Sequence, residues 1–254
     1  MLAGCLMGDP YWQPYGGPPP SWDSAVFNGT GIIVGDGLVL TAAHVVQDCK
    51  VIRIAAASDA FRALPATTKA VGPKHDAVQL DVALLAAGPA GAPAWPAVSF
   101  IDSWPGDAKL RALPKGAGDE VGLSDLRLLG YPVQTTAPHP ATSPVFHLGA
   151  ARPDDVLQFH LWAFVGNAAP GFSGGPLVDP SGAVLGIAFR GIQAHDPQLS
   201  DAAFPDGVQL SNGLGMAVSS KELASFLAQN GVQVSSAAPA RPIEDSLVQV
   251  FCFR

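Results

Sequence analysis

The chain has 254 residues, which is enough for one large domain or two small ones around a buried core. Charged residues make up 14% of the chain, apolar residues make up 48%, and the formal net charge is -7. This balance argues against a nucleic-acid-binding protein, because such proteins carry a basic stripe. Every long apolar stretch is broken by His, Gly or Pro before it could span a membrane, so we expect a soluble mature protein.

The N-terminal segment is rich in Pro, Gly and aromatic residues and shows no periodicity, most clearly over residues 6–25. Pro-rich segments favour extended conformations and lack a face that could join a core. The sequence therefore predicts a tether over residues 1–25, with ordered structure beginning at Val26.

Beyond the tether, short runs of Val, Ile and Leu alternate with Gly- and Pro-rich turns, a pattern typical of all-β domains. In "GTGIIVGDGLVLTAAHVV" (29–46), the turn Gly35-Asp36-Gly37 joins two apolar segments and predicts a β-hairpin. A loose Pro-, Gly- and Ala-rich connection over about 88–124 divides the strands into two groups. Further strands are predicted at 51–56, 77–87, 125–131, 155–165, 182–191 and 213–219.

One helix is predicted near the C-terminus, in "SSKELASFLAQNG" (219–231). Ser219 or Ser220 can cap its first turn, apolar residues recur on one face, and Gly231 ends it. The remaining residues, 232–254, are predicted as a C-terminal tail.

The stretch "NAAPGFSGGPLVD" (167–179) sets Ser173 among glycines and prolines, which helix interiors tolerate least. Gly-Ser-Gly is common loop material, but this stretch also fits the G-x-S-x-G nucleophile elbow of α/β-hydrolases. That elbow needs an acid and a histidine after the serine, and the only histidine beyond Ser173 is His195, which is too near for the usual intervening strand and helix. The alternation of strands with long helices is also missing, so we give an esterase of that fold little weight.

A serine nucleophile needs an adjacent base, and that base needs an acid that fixes its tautomer. His44 follows a predicted strand, where a small-residue turn can present a side chain at a barrel edge. Asp81 interrupts an apolar strand, where a lone charge is costly unless a donor such as an imidazole N–H meets it. Taken alone, Asp81 fits a turn cap equally well. We interpret the neighbouring His75 and Asp76 as exposed loop residues.

The stretches "TAAHVV", "DVALL" and "PGFSGGPLVD", in this order, resemble the trypsin-like (chymotrypsin-fold) serine peptidases, whose triad follows the order His, Asp, Ser. The hairpin at 29–46, "GDEV" near residue 118 and "GLGMAVSS" near residue 213 are similar to the bacterial branch that includes the HtrA-type peptidases. The resemblance covers about residues 26–231 and implies two packed six-stranded antiparallel β-barrels with the site between them.

The resemblance also divides this peptidase domain into segments. They are a first barrel over about 26–102, a linker over about 103–124, a second barrel over about 125–218 and the helix at 219–231. About 23 residues follow that helix, too few for the PDZ domain of HtrA-type enzymes.

The implied activity is that of a serine endopeptidase, which hydrolyses peptide bonds through His44, Asp81, Ser173 and an acyl-enzyme intermediate. The backbone N–H groups of Gly171 and Ser173 would form the oxyanion hole. This chemistry needs no cofactor and no metal, and the implied partner is a polypeptide substrate. The alternative is an inactive pseudopeptidase that binds peptides or proteins, against which stands the presence of all three triad residues. Phe172 replaces the Asn or Asp common in the family, so the loop must be braced differently.

The substrate pocket is placed by the same resemblance. Asn167 stands six positions before the nucleophile, where trypsin itself carries the Asp that binds Lys or Arg. Phe189, Arg190, Leu214 and Met216 are candidates for the pocket walls. An uncharged and mostly apolar pocket suits small or medium aliphatic side chains, while Arg190 leaves a preference for acidic residues open.

The three cysteines bear on the cellular compartment. Cys5 ends "LAGC", which resembles a bacterial lipobox, although no signal regions precede it. Cys49 and Cys252 remain as an even pair, which fits a disulfide in an oxidising compartment, and Cys252 lies in "VQVFCFR", a segment able to add a strand to the first barrel. We expect an exported, periplasmic or membrane-anchored lipoprotein that meets the membrane only through its N-terminal lipid; a cytoplasmic enzyme is the alternative. The oligomeric state is not predicted.

Overall fold

The computed structural model describes residues 27–35, 37–56, 63–75, 78–88, 126–132, 140–151, 161–166, 169–179, 182–192, 214–233 and 242–254. The strands within these ranges are β1 (Phe27–Gly35), β2 (Leu38–Thr41), β3 (Val51–Ala56), β4 (Leu64–Val71), β5 (Lys74–His75), β6 (Val78–Gln79), β7 (Ala83–Ala87), β8 (Arg127–Gly130), β9 (Ala141–Ala151), β10 (Leu161–Gly166), β11 (Pro176–Val178), β12 (Val184–Ile192), β13 (Leu214–Ser219) and β14 (Leu247–Phe253). The helices are α1 (Ala43–Val46), α2 (Ser220–Gln229) and a 3₁₀ turn at Ile243–Ser246.

Twelve of these strands close into two six-stranded barrels, and all twelve pairs of neighbouring strands in them run antiparallel. The first barrel has the order β1-β14-β3-β4-β7-β2, and the second has the order β10-β13-β12-β11-β8-β9. Strands β5 and β6 pair as a separate hairpin. The predicted all-β architecture of two six-stranded barrels is confirmed.

Side-chain alternation along β1 shows how one strand serves two cores. Ile33 points into the interior of the first barrel, where it packs with residues such as Ile54 and Leu85. Its neighbours Ile32 and Val34 point the other way and belong to a second apolar cluster. Successive residues of a strand face opposite sides of the sheet, so an uninterrupted apolar run is what a strand buried on both faces requires.

That second cluster joins the two barrels. It combines Ile32 and Leu84 of the first barrel with Leu129 and Val184 of the second and with Phe226 of α2. Because both barrels and the helix bury side chains in one shared core, the relative position of the barrels is fixed by packing. The interior of the second barrel is filled separately by residues such as Leu128, Phe164, Leu177 and Leu185.

The C-terminal segment contributes strand β14, in agreement with the expectation that "VQVFCFR" can add a strand to the first barrel. Residues of β14 insert between β1 and β3, with Cys252 opposite Phe27 on one side and opposite Ile52 on the other. The first barrel therefore takes its sixth strand from the far end of the chain. Cys252 is also joined to Cys49 by a disulfide whose Cα atoms lie 5.4 Å apart, within the ordinary range for such bridges.

The predicted helix at 219–231 corresponds to α2, with Ser219 as its N-cap. The Ser219 hydroxyl accepts a hydrogen bond from the Glu222 N–H at 3.4 Å, and Gly231 follows the helix with a φ of 75°. The predicted tether, the linker at 103–124 and Cys5 lie outside the described residues. In the part of the chain that is described, no helix is long and apolar enough to cross a membrane.

Candidate functional site

His44 and Asp81 form a two-point contact at the edge of the first barrel. The Nδ1 atom of His44 lies 2.7 Å from Oδ2 of Asp81, and the backbone N–H of His44 donates to Oδ1 of the same carboxylate at 2.9 Å. A carboxylate that accepts from Nδ1–H holds the ring in the tautomer whose Nε2 carries a lone pair. The side chain of His44 is 39% exposed, so this pair presents a base that a substrate can approach.

The position of His44 follows from the residues around it. Helix α1 is a single turn that begins directly after β2, and its residues Val45 and Val46 are buried in the core of the first barrel. Because these two valines fix one side of the turn, His44 is left on the other side at the barrel edge. The prediction that a small-residue turn after this strand presents His44 agrees with this geometry.

Asp81 occupies a tight turn between β6 and β7, whereas the sequence predicted it within a strand. The N–H of Val82 donates to the Leu80 carbonyl at 2.8 Å, which bends the chain sharply at Asp81. Leu80 and Val82 are both buried, so the two residues that flank Asp81 anchor the turn. Because of this bend, the Asp81 side chain does not follow the alternating side-chain directions of a strand, and both of its carboxylate oxygens contact His44.

Ser173 lies in a turn that two glycines make possible. Gly171 has a φ of 98° and Gly174 a φ of 84°, values that side chains other than glycine rarely adopt. The Phe172 N–H donates to the Ala169 carbonyl at 3.1 Å, and the Gly175 N–H donates to the Phe172 carbonyl at 2.8 Å. Among the described residues, no backbone hydrogen bond uses the N–H of Gly171 or that of Ser173.

This Ser173 turn packs against the first barrel close to His44. The Thr30 N–H donates to the Ser173 carbonyl at 2.8 Å, across the boundary between the barrels. A Cβ atom on Gly174 would overlap the Thr30 carbonyl oxygen and the Thr41 hydroxyl, and would lie 2.9 Å from the Ala42 nitrogen. Thr41 and Ala42 immediately precede α1. The turn that carries Ser173 therefore lies beside the base of the turn that carries His44.

A cavity of about 450 Å³ opens beside the His44–Asp81 pair. Phe189, which the sequence assigned to the substrate pocket, lines this cavity and also packs against the shared core and the core of the first barrel. Gln47 and Gln79 line it as well, and the sequence does not predict them, because neither lies in a recognisable motif. The described residues that line it are Ala43, His44, Gln47, Gln79, Asp81 and Phe189.

The other predicted pocket residues have different outcomes. Met216 is half-buried and packs against the shared core. Asn167 and the side chains of Arg190 and Leu214 lie outside what the structure describes. Phe172, which precedes the serine, is buried in the second barrel, and a Cβ atom added at Gly130 would lie 2.8 Å from its ring. Phe172 thus braces the turn by apolar packing in place of a polar side chain.

Tyr131 is a buried polar residue next to this region. Burial raises its pKa from 10.0 to about 12 because the ionised phenolate would lose its hydration. Its hydroxyl has no hydrogen-bond partner among the described residues. Among all the residues that the structure describes, no three His, Cys, Asp or Glu side chains come together in a way that could hold a metal ion.

Comparisons with known proteins bear on the family and the fold. A family model described as "Trypsin-like peptidase domain" matches residues 29–187. Two curated relatives from two strains of Mycobacterium tuberculosis, the serine proteases MT3772 and Rv3671c, are each 30% identical over 168 residues, which is 65% of this chain and 36% of theirs. The chain therefore spans little more than a third of the length of these relatives.

The fold also resembles that of a solved structure. The Rv3671c protease from M. tuberculosis in its active form matches with a TM-score of 0.52 and 25% identity, over 84% of this chain and 78% of that one. The HtrA-type protease AlgW with a decapeptide matches with a TM-score of 0.49 and 21% identity, over 80% of this chain and 50% of that one.

Proposed function

Because the chain belongs to the family of trypsin-like peptidase domains, we propose that it is a serine endopeptidase with His44, Asp81 and Ser173 as its catalytic triad. One observation carries the proposal: both oxygens of the Asp81 carboxylate are bonded to His44, one to its backbone N–H and one to its ring. A carboxylate that fixes both the position and the tautomer of an exposed imidazole is what a general base requires. The relatives named serine protease support the same reaction class.

In the proposed mechanism, Oγ of Ser173 attacks the carbonyl carbon of the scissile peptide bond while Nε2 of His44 takes the hydroxyl proton. The tetrahedral intermediate collapses to an acyl-enzyme when His44 gives that proton to the leaving amine. A water molecule then attacks the acyl-enzyme, with His44 again as the base, and Ser173 is regenerated. Throughout, Asp81 remains ionised and stabilises the imidazolium that forms on His44.

The N–H groups of Gly171 and Ser173 are proposed to bind the oxygen that becomes negative in this intermediate. Two preorganised amides aimed at such an oxygen act before the charge develops and need no rearrangement. The proposal is supported by the backbone of the turn, where the neighbouring amides of Phe172, Gly174 and Gly175 are already bonded while these two are not used within the described residues. The positive φ of Gly171 supplies the unusual backbone direction.

We also propose that the substrate is a polypeptide held in the cavity beside His44, with a small or medium aliphatic side chain at the cleavage site. Phe189 supplies apolar surface there. The polar ends of Gln47 and Gln79 are suited to bond the backbone of a bound peptide. The disulfide between Cys49 and Cys252 supports export to an oxidising compartment, which is proposed together with lipidation of Cys5.

The proposal is tested by exposing the purified protein to a fluorophosphonate probe and to a diverse peptide library. We expect labelling and cleavage by the native protein, with cleavage after Ala, Val or Leu at least as fast as after Lys or Arg. Ser173→Ala should abolish both while leaving thermal unfolding nearly unchanged, because a half-buried hydroxyl in a turn contributes little to stability. Cleavage at the native rate by Ser173→Ala would refute the assignment, and strong selectivity for basic residues would refute the proposed pocket.

A further inference from the structure

Thr30 lies in the middle of the contact between the two barrels. It belongs to β1, is completely buried, and takes part in four hydrogen bonds through its hydroxyl and its backbone. Two of these bonds reach the Ser173 turn, although Thr30 itself lies in the barrel that carries His44. A buried polar side chain with this many partners constrains every group that it touches.

The hydroxyl of Thr30 has a defined direction. It accepts a hydrogen bond from the Tyr131 N–H at 2.9 Å, and it donates to the Gly171 carbonyl at 2.8 Å. A hydroxyl has a single proton, and an amide N–H can only donate, so the proton must point toward Gly171. Thr30 thereby connects the end of β8 to the Ser173 turn.

The backbone of Thr30 holds the same turn at a second point. Its N–H donates to the Ser173 carbonyl at 2.8 Å. Its own carbonyl accepts a hydrogen bond from the Thr41 hydroxyl at 2.7 Å. Thr41 lies three residues before His44, so this bond attaches Thr30 to the segment that leads to the histidine. The serine turn is therefore attached, through Thr30, to the segment that positions the histidine.

These contacts hold two peptide units of the turn at both ends. The unit from Gly171 to Phe172 is bonded through its carbonyl to Thr30 and through its N–H to Ala169 at 3.1 Å. The unit from Ser173 to Gly174 is bonded through its carbonyl to Thr30 and through its N–H to Ala188 at 2.6 Å. Because each peptide unit is planar, holding these two units limits the rotation of the Ser173 N–H between them and of the Gly171 N–H beside them.

We infer that Thr30 is a positioning residue for the oxyanion hole, acting from the first barrel on the Gly171 and Ser173 amides of the second. The inference rests on the proposed function, because it concerns the same site. Thr30 is completely buried, so it acts on the reaction through these amides and not by contact with the substrate. Its hydroxyl aligns the amides before the negative charge develops, so its loss should weaken binding of the transition state more than binding of the substrate.

The test compares three variants of the full chain: Thr30→Val, Thr30→Ala and Thr30→Ser. Val keeps the shape of Thr and removes the hydroxyl, whereas Ser keeps the hydroxyl and removes the methyl group. Loss of one oxyanion-hole donor lowers kcat by roughly 10²- to 10³-fold, and a residue that acts through the donors should have a smaller effect. We expect Thr30→Val to lower kcat by roughly 10- to 100-fold with KM changed less than about threefold, and Thr30→Ser to stay within about threefold of the native kcat.

Two further readouts separate positioning from a general loss of structure. The affinity for a peptidyl aldehyde, whose adduct with Ser173 carries an oxygen in the oxyanion position, should fall in proportion to kcat/KM. The shape of the pH–rate profile should stay unchanged, because His44 and Asp81 keep their contact. Ser219→Ala is the matched control: it also removes a buried hydroxyl with a backbone partner, at the start of α2, and should lower the melting temperature without changing kcat.

The inference is overturned if folded Thr30→Val keeps kcat within twofold of the native value, or if Thr30→Ser loses as much activity as Thr30→Val. If Thr30→Val does not fold, Thr30→Ala is judged by the same criterion, because it places no methyl group against the Gly171 carbonyl. An equal loss of kcat in Ser219→Ala would also overturn it. Failure of the proposed function gives a different result, since the native protein would then show no cleavage that depends on Ser173.

Discussion

Replacing Asp81 by Asn tests the geometry of the histidine pair in detail. In the native structure one Asp81 oxygen accepts from the backbone N–H of His44, and the other is bonded to the ring. The backbone N–H can only donate, so the Asn side chain must place its single oxygen there. Its NH₂ group then faces Nδ1 of the ring, which forces Nδ1 to accept and moves the ring proton to Nε2. His44 would be held in the tautomer that cannot accept the serine proton.

The expected loss is large because the whole population of His44 is in the wrong tautomer. In this type of triad the same change lowers kcat by about 10⁴, which corresponds to about 5.5 kcal/mol of activation free energy. The contacts and the volume of the side chain are otherwise kept, so KM and the melting temperature should change little. The assay is steady-state hydrolysis of a library-derived peptide at pH 7 to 8, with fluorophosphonate labelling as a second readout.

Asp179→Asn serves as the matched control for this experiment. The Oδ1 atom of Asp179 accepts from the Ala183 N–H at 3.0 Å in the turn between β11 and β12, where an Asn oxygen can do the same. This variant should keep native kcat. A loss below tenfold in Asp81→Asn would refute the argument, because the orienting carboxylate would then have to come from another residue such as Asp76.

Two predictions concern stability. The disulfide between Cys49 and Cys252, which are 203 residues apart, should contribute about 5 kcal/mol on the chain-entropy account. Cys252→Ser should therefore lower the guanidinium midpoint markedly, and equal midpoints would contradict this. Mass spectrometry of the non-reduced protein should show the cross-link. The pKa of Tyr131 is raised from 10.0 to about 12, so between pH 10 and 12 the folded state keeps a proton that the unfolded chain loses. The free energy of unfolding should therefore not depend on this group below pH 10, and it should fall as the pH rises from 10 to 12. In urea melts, the free energy of unfolding should fall less between pH 9 and pH 11.5 in Tyr131→Phe than in the native protein. Identical falls in both proteins would remove Tyr131 as the cause.

The strands could be predicted where the local pattern is strong. The hairpin of β1 and β2, strand β3 and helix α2 all follow from periodicity and from turn or cap residues that lie within the same short stretch. Strand β4 is not predicted because "LPATTKAV" lacks a regular alternation of apolar and polar residues and exposes Thr67, Thr68 and Lys69 in succession. Strand β9 was missed because Pro144 interrupts it, although Pro144 is in register with Arg127 of β8.

In the candidate site, as in the strands, the sequence predicts features that depend on neighbouring residues and does not predict contacts between residues far apart in the chain. His44, Asp81 and Ser173 could be proposed from the sequence because each lies in a short stretch of family character. The role of Thr30 could not be found, since its partner Gly171 lies 141 residues away and only the packing of the two barrels brings them together. Gln47 and Gln79 are polar residues at the rim of a cavity, and a sequence pattern contains no signal for that position.

The origin of the first barrel's sixth strand bears on the order in which the protein is made. A ribosome releases β1 to β4 and β7 early, then all six strands of the second barrel, and β14 after them. Domains generally fold as they emerge, with the N-terminal one first, but here the second barrel has all its strands while β1 and β3 of the first still have an unpaired edge. The barrel that carries His44 is therefore the last to close. A nascent chain therefore cannot hold the His44–Asp81 pair in a closed first barrel until β14 has emerged, so the proposed activity would begin only at the end of synthesis.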